Sequence, residues 1–131
     1  MEIMEVNTPG HTCFVNITEE VQERVRRKGI ISGVLTLFVP HTTAGITINE
    51  NADPDVVRDI LEGLQKAVPD TGLYAHREGN SPAHIKAGLM GFSQHLVIDG
   101  GQVLLGTWQG IYLCEFDGPR TRRVVLKMTG E

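Results

Sequence analysis

The segment Tyr74 to Lys86, YAHREGNSPAHIK, sets His76 and His84 eight positions apart with Glu78, Asn80, Ser81 and Lys86 around them. Neutral imidazoles can hold a borderline divalent cation, carboxylates can move protons, and an ammonium can hold an anion. Two more stretches carry the same kinds of groups. PHTTAGITINENADPD, residues 40–55, brings His41, Thr42 and Thr43 to a loop and ends in Asn49, Glu50, Asn51, Asp53 and Asp55. GTWQGIYLCEFDGPR, residues 106–120, holds the single tryptophan, Trp108, together with Gln109, Glu115, Asp117 and Arg120.

Each of these residues also has a plain structural reading. Asp53 can cap a helix, Asp55 suits its positive end, and Asn49 and Asn51 suit turns. Ser81 followed by Pro82 opens a second helix, whose free N–H groups suit a phosphate or carboxylate. His84 then falls in the first turn, where the helix dipole keeps its imidazole neutral, and Lys86 lies roughly opposite, toward a neighbouring subunit or solvent. Glu115 lies on an apolar strand and needs a partner; Arg120, just past a turn, can fold back to it or fork onto a phosphate. The histidine spacing matches no standard zinc motif, and His11 and His95 read as surface or strand histidines.

The elements that position these groups follow from periodicity. Residues 2–7 and 12–17 alternate loosely around Pro9-Gly10, as an N-terminal hairpin or a pair of edge strands. Thr18 precedes EEVQERVRRKG, a helix with an acidic first turn, a basic last turn and Gly29 at its end. Residues 33–39 and 45–50 read as strands flanking the His41 loop; 53–68 reads as an amphipathic helix with apolar positions 57, 60, 61, 64 and 68; 81–91 reads as a shorter helix. From residue 93 onward the pattern is strand, broken at Gly100-Gly101, Gly110 and 117–120, which predicts an antiparallel meander. The expectation is an α+β fold, one domain over residues 1–131, with antiparallel sheets and about three helices.

Composition bounds the function. The chain has 131 residues, 40% hydrophobic and 21% charged, which is ordinary for a globular domain. Twelve basic against sixteen acidic residues give a net charge of -4, and the one dense basic run, Arg24 to Lys28, lies on a helix, so no nucleic-acid partner is expected. The start of the chain has no apolar signal region and no stretch approaches the roughly 18 apolar residues of a membrane span, so no membrane partner and a cytoplasmic location are expected. Cys13 and Cys114 read as buried thiols outside any CxxC motif, and no GxGxxG, Walker or GxSxG pattern occurs.

Four stretches in this order, HTTAGITINENADPDVVRDI, YAHREGNSPAHIKAGLMG, SQHLVIDGGQVLLGTWQGI and EFDGPRTRRVV, resemble the YjbQ-like family, often labelled secondary thiamine-phosphate synthase enzymes. The resemblance implies a homotrimer with a metal-holding polar pocket near subunit boundaries. It assigns His41, His76 and His84 to the metal, Glu50, Glu78 and Arg120 to catalysis, and Thr42, Thr43, Asn51, Asn80, Ser81, Lys86, Trp108 and Gln109 to substrate. The implied reaction joins a pyrimidine diphosphate to a thiazole phosphate and releases pyrophosphate. Three imidazoles suit zinc, while diphosphate chemistry normally uses magnesium on oxygen ligands, so zinc is expected ahead of magnesium. Two other readings stay open: a non-catalytic trimer that binds an anionic metabolite, and a metal-dependent hydrolase with Glu50 or Glu78 as general base.

Overall fold

In the computed structural model, which describes residues 1–72 and 74–131, these residues form β1 (Glu2–Asn7), β2 (Cys13–Asn16), α1 (Thr18–Lys28), β3 (Ser32–Phe38), β4 (Ala44–Glu50), α2 (Pro54–Ala67), α3 (Ser81–Met90), β5 (Ser93–Asp99), β6 (Gln102–Val103), β7 (Gln109–Glu115) and β8 (Thr121–Gly130). The strands make two antiparallel sheets, in the orders β1-β8-β3-β5-β6 and β2-β7-β4. The expected α+β class is the observed one. No helix among the described residues is long and apolar enough to cross a membrane.

Alternation sets the faces of the larger sheet. Leu35, Leu37, Leu96, Ile98, Val124 and Leu126 turn into the core, while Val34, Phe38 and Val97 stay exposed on the opposite face. The smaller sheet is covered on both sides. Ile111 and Leu113 of β7 join the main core with Val21 and Val25 of α1, and Tyr112 and Cys114 meet Ala83 and Ala87 of α3 on the other face. That double coverage is why GIYLCE reads as a continuous apolar run. Gly45 permits the close approach of α3 to β4: a Cβ there would lie 2.6 Å from the Gly91 carbonyl oxygen, which instead accepts the Ile46 N–H at 3.0 Å.

Helix boundaries follow local chemistry with two corrections. The α1 helix ends at Gly29 in the left-handed region, φ 77°, and α2 starts at Asp53, whose side chain accepts the Asp55 N–H at 2.9 Å. Thr18 is itself the first helical residue of α1, and Ser81, expected as the cap of α3, is the first helical residue there. The cap position of α3 belongs to Asn80, whose carbonyl already accepts the N–H groups of Ala83 and His84, at 3.0 and 3.3 Å. The amphipathic α2 buries none of its own residues fully, and its apolar positions Val57, Ile60, Leu61 and Leu64 are half-covered.

Connectivity departs further from expectation. Of the two readings of the N-terminus, the hairpin is not formed and the pair of edge strands is: β1 lies on β8 and β2 on β7, in different sheets. Only β5 and β6 form the expected C-terminal hairpin, while β7 and β8 lie in separate sheets, so residues 117–120 are a crossover and Gly110 lies inside β7. Turn residues tell where the chain bends, and long-range burial decides which sheet receives the next strand.

Glu115 and Arg122 join the sheets at this crossover. Arg122 Nε donates to Glu115 Oε1 at 2.8 Å, and Arg122 Nη2 donates to Glu115 Oε2 and, at 2.8 Å, to Thr43 Oγ1. Thr8 Oγ1 donates to Glu115 Oε1 at 2.8 Å, and the N–H groups of Phe116 and Asp117 reach Oε2, each at 3.1 Å. Arg120, the expected partner of Glu115, instead pairs with Asp117 at 3.2 Å and is half exposed. A buried pair stripped of one member costs about 3–5 kcal/mol, an exposed one about 0–1 kcal/mol. We therefore expect Arg122→Ala to lose several kcal/mol in urea unfolding and Arg120→Ala to lose about 1 kcal/mol or less; equal losses would contradict the placement of the two arginines.

Candidate functional site

The residues with chemical potential fall into four groups. The first surrounds the loop between β3 and β4. Arg122 and Glu115 fix Thr43, and two residues earlier in the chain His41 Nε2 accepts the Arg123 N–H at 2.9 Å. Burial pushes the Glu115 pKa up, but the Arg122 guanidinium, the Asp117 N–H and the Thr8 hydroxyl outweigh it and hold the carboxyl below its ordinary range. His41 is pushed down, first by burial and then by Arg122, with Arg120 and Arg123 adding to the effect and Glu115 opposing it. Thr42 is exposed beside His41 on the rim of an apolar hollow of about 330 Å³ that includes Phe38 and Phe92.

The second group lines a cavity of about 320 Å³ where α3 begins, walled by Glu78, Asn80, Lys86 and Asp117. Lys86 does not extend to solvent: only 3% of it is exposed, and its Nζ donates to Gln65 Oε1 at 2.7 Å, with the nearest carboxylate, Asp70, at 4.0 Å. Asn80 Nδ2 donates to Asp117 Oδ2 at 3.0 Å, which leaves the buried Asn80 Oδ1 without a partner. Asp117 also receives Arg120, so this cavity and the first group share one wall.

His76 and His84 make the third group, with ring centroids 5.2 Å apart and planes at 88°. Two imidazoles held through nitrogen on one tetrahedral zinc, with Zn–N near 2.0–2.1 Å, set their centroids about 5 Å apart. The separation fits two of the ligands such a cation needs. Among the described residues no third histidine, cysteine, aspartate or glutamate joins them, so the expected set with His41 is not assembled in one chain. His41 is instead spent on the edge of β8. As the helical spacing implied, His84 and Lys86 serve different sides of α3, since Lys86 lines the cavity and His84 does not.

The fourth group sits at the far end of the β4–β7 ladder, where Glu50 is paired with Gln109. The Asn51 N–H donates to the Trp108 carbonyl at 2.8 Å, and Gln109 Oε1 accepts the Gly106 N–H at 2.8 Å. Tyr112 donates to the Glu50 carbonyl at 3.0 Å, and Trp108 is 62% exposed. Glu50 lies six residues along β4 from Ala44, the partner of Glu115, which is about 20 Å of strand.

Comparison with known proteins joins these scattered motifs. The family model described as UPF0047 protein YjbQ-like matches residues 2–131. The chain belongs to the UPF0047 family of YjbQ-like proteins. It is 47% identical over 131 residues to the UPF0047 protein YugU of Bacillus subtilis, covering 99% of each chain. A crystal structure of an uncharacterized YjbQ/UPF0047 family protein from Clostridium acetobutylicum superposes with a TM-score of 0.96 at 53% identity, covering 98% of this chain and 100% of the other. A YbjQ-like protein of unknown function from Sulfolobus solfataricus gives 0.94 at 32% identity, covering 99% and 96%.

Sequence reasoning missed Arg122 and the wall role of Asp117. The signal for Arg122 was present: it shares strand parity with Val124 and Leu126, both buried, so it had to enter the core and meet a carboxylate there.

Two predictions follow from these environments. Since the folded pKa of Glu115 lies below the unfolded value, its contribution is complete above about pH 4.3 and is lost as pH falls toward the folded value. Glu115→Gln should lower stability at neutral pH and flatten the stability profile between about pH 5 and pH 3 in urea titrations; a profile that keeps the wild-type slope contradicts this. Lys86→Met removes a buried charge that has no carboxylate at hydrogen-bond distance, so stability should hold or rise by about 1–2 kcal/mol. A loss above about 2 kcal/mol would show that the ammonium serves the fold and not a ligand.

Proposed function

We propose that the protein binds a phosphorylated small molecule in a site completed between copies of a homotrimer, and that it catalyses the thiamine-phosphate synthase type of transfer. The observation that carries this reading is the separation of the motif residues. Thr43 and Arg120 lie at one end of the β4–β7 ladder and Glu50, Asn51, Trp108 and Gln109 at the other, about 20 Å apart, farther than one small ligand reaches within a chain. A second copy that docks the far end of its ladder against the α3 cavity brings them together. Exposed Trp108, Leu89 and Val97 and the half-covered face of α2 supply apolar surface for such contact.

In this arrangement Lys86 and Arg120 hold phosphate oxygens, with Asn80, Ser81, Thr42 and Thr43 on the same side. Trp108 stacks on the pyrimidine ring, Asn51 and Gln109 hydrogen-bond to it, and Glu50 and Glu78 accept hydrogen bonds from its amino group. The thiazole nitrogen attacks the pyrimidine methylene carbon, the carbon–oxygen bond breaks, and pyrophosphate leaves with both electrons of that bond. His76 and His84 would hold a divalent cation, zinc ahead of magnesium, with further ligands from a second copy or the substrate. Its contribution when bound is to neutralise charge on the leaving diphosphate. Two free thiols, one buried and one half-buried, suit the reducing cytoplasm.

The test is direct. Purified protein supplied with the two substrates and either zinc or magnesium should form thiamine phosphate, detected by mass spectrometry. Arg120→Ala and Glu50→Gln should each reduce the rate by about a hundredfold or more. Native mass spectrometry should show three chains of 14.4 kDa in one particle. A monomer, or product no faster than the blank, sinks the proposal.

A further inference from the structure

His41 occupies an unusual place in the backbone. The last β8 residue paired with β3 is Val125, opposite Phe38, where β3 ends. Two residues along β8, on the side that β3 has vacated, the N–H of Arg123 would be left without a strand partner. The His41 ring fills that place and accepts the N–H at 2.9 Å through Nε2. A nitrogen that accepts a hydrogen bond from a backbone N–H carries no proton, so the neutral ring bears its proton on Nδ1. Nε2 is then committed as acceptor, and Nδ1 carries the proton and is free to donate. Metal coordination through Nδ1 would demand an imidazolate, and coordination through Nε2 would break the cap on β8.

The surroundings point the same way. His41 lies apart from His76 and His84, and its charged neighbours include Arg120, Arg122 and Arg123, with only Glu115 opposing them. Arg122 is tied to Glu115 and Arg120 to Asp117, which leaves Arg123 as the cation beside the ring with no carboxylate partner among the described residues, so the loop suits an anion better than a cation. The neighbouring hollow of about 330 Å³ offers Phe38 and Phe92 as apolar walls and Thr42 as a hydroxyl donor.

We infer that His41 is not a ligand of the cation but a fixed neutral imidazole that donates from Nδ1 to an anionic oxygen of the bound molecule. The molecule would be a phosphate ester whose apolar part lies against Phe38 and Phe92. The inference rests on the reading above that the site takes a phosphorylated molecule, and it reassigns one residue within it. Held by a backbone hydrogen bond, the ring is ready to stabilise charge without reorganising.

Three measurements on the full-length protein test this. Long-range proton–nitrogen NMR correlation at neutral pH, with His41 assigned by comparison with His41→Gln, should show the Nδ1–H tautomer for this ring. The Nε2–H tautomer overturns the inference. Zinc titration should give the same stoichiometry for wild type and His41→Gln, with dissociation constants within about threefold, whereas His84→Ala should lose the site. Pyrophosphate affinity, measured by calorimetry, should fall about tenfold or more in His41→Ala and be largely restored in His41→Gln, whose amide can accept from Arg123 and donate to the anion. Loss of zinc stoichiometry in His41→Gln with pyrophosphate binding intact overturns this inference alone. Wild-type protein that binds no pyrophosphate overturns both this inference and the function proposed above.

Discussion

Burying a carboxylate and a guanidinium together is tolerable only if nearly every lone pair and N–H finds a partner, and the Glu115–Arg122 pair meets that condition. Both oxygens of Glu115 are occupied by Arg122, Thr8 and two backbone N–H groups, and Arg122 Nη2 also donates to Thr43. Those partners are spread widely along the chain. Thr8 follows β1 of the larger sheet, Thr43 precedes β4 of the smaller one, and Asp117 begins the passage from β7 back to β8. One polar node therefore fixes three places where the chain moves between sheets. It also fixes the loop that carries His41, so the fold and the candidate site share a support.

This coupling explains what could be read from residues alone. Alternation in Leu35 to Leu37 and Val124 to Leu126 identified strands and their inward faces, because burial on one side imposes a period of two. Pro54 and Gly29 marked helix ends, because each solves a local backbone problem. Sheet membership was not local. Residues 117–120 look like a hairpin turn from their types, yet the bend is taken up by a crossover whose geometry is set by Glu115 meeting Arg122, seven positions apart. Of the two readings of Arg120, the pairing with Glu115 is not realised for the same reason: proximity in sequence is a weaker guide than strand parity, which sends Arg122 inward and Arg120 to the surface.

The site shows a second limit of linear motifs. YAHREGNSPAHIK is one continuous stretch, but a helix turns about 100° per residue, so neighbours in sequence face different ways. Lys86 goes to the cavity, His84 joins His76 elsewhere, and Asn80 ties the helix start to Asp117. The stretch therefore serves at least two places at once. Conversely, Glu50 and Gln109 are far apart in sequence and directly opposed in the β4–β7 ladder. The chemical groups that family resemblance gathers into one list are distributed by the fold along some 20 Å of strand.

The same point bears on α2. By pattern it is the most regular amphipathic helix in the chain, yet none of its residues is fully buried, whereas α1, with a weaker apolar stripe, buries Val21 and Val25 completely. Val57 and Leu64 pack against the cluster of Tyr112, Cys114 and Phe116 while the stripe keeps part of its area exposed, so each side chain contributes less than the roughly 1.5–3 kcal/mol of full burial. The chain's own core accounts for Val57 and Leu64, and the area of the stripe left exposed is apolar surface that a second copy would cover under the function proposed above. Under that proposal the partly covered stripe and the separation of Glu50 from Glu115 along the β4–β7 ladder share one explanation, a second chain against this side of the molecule.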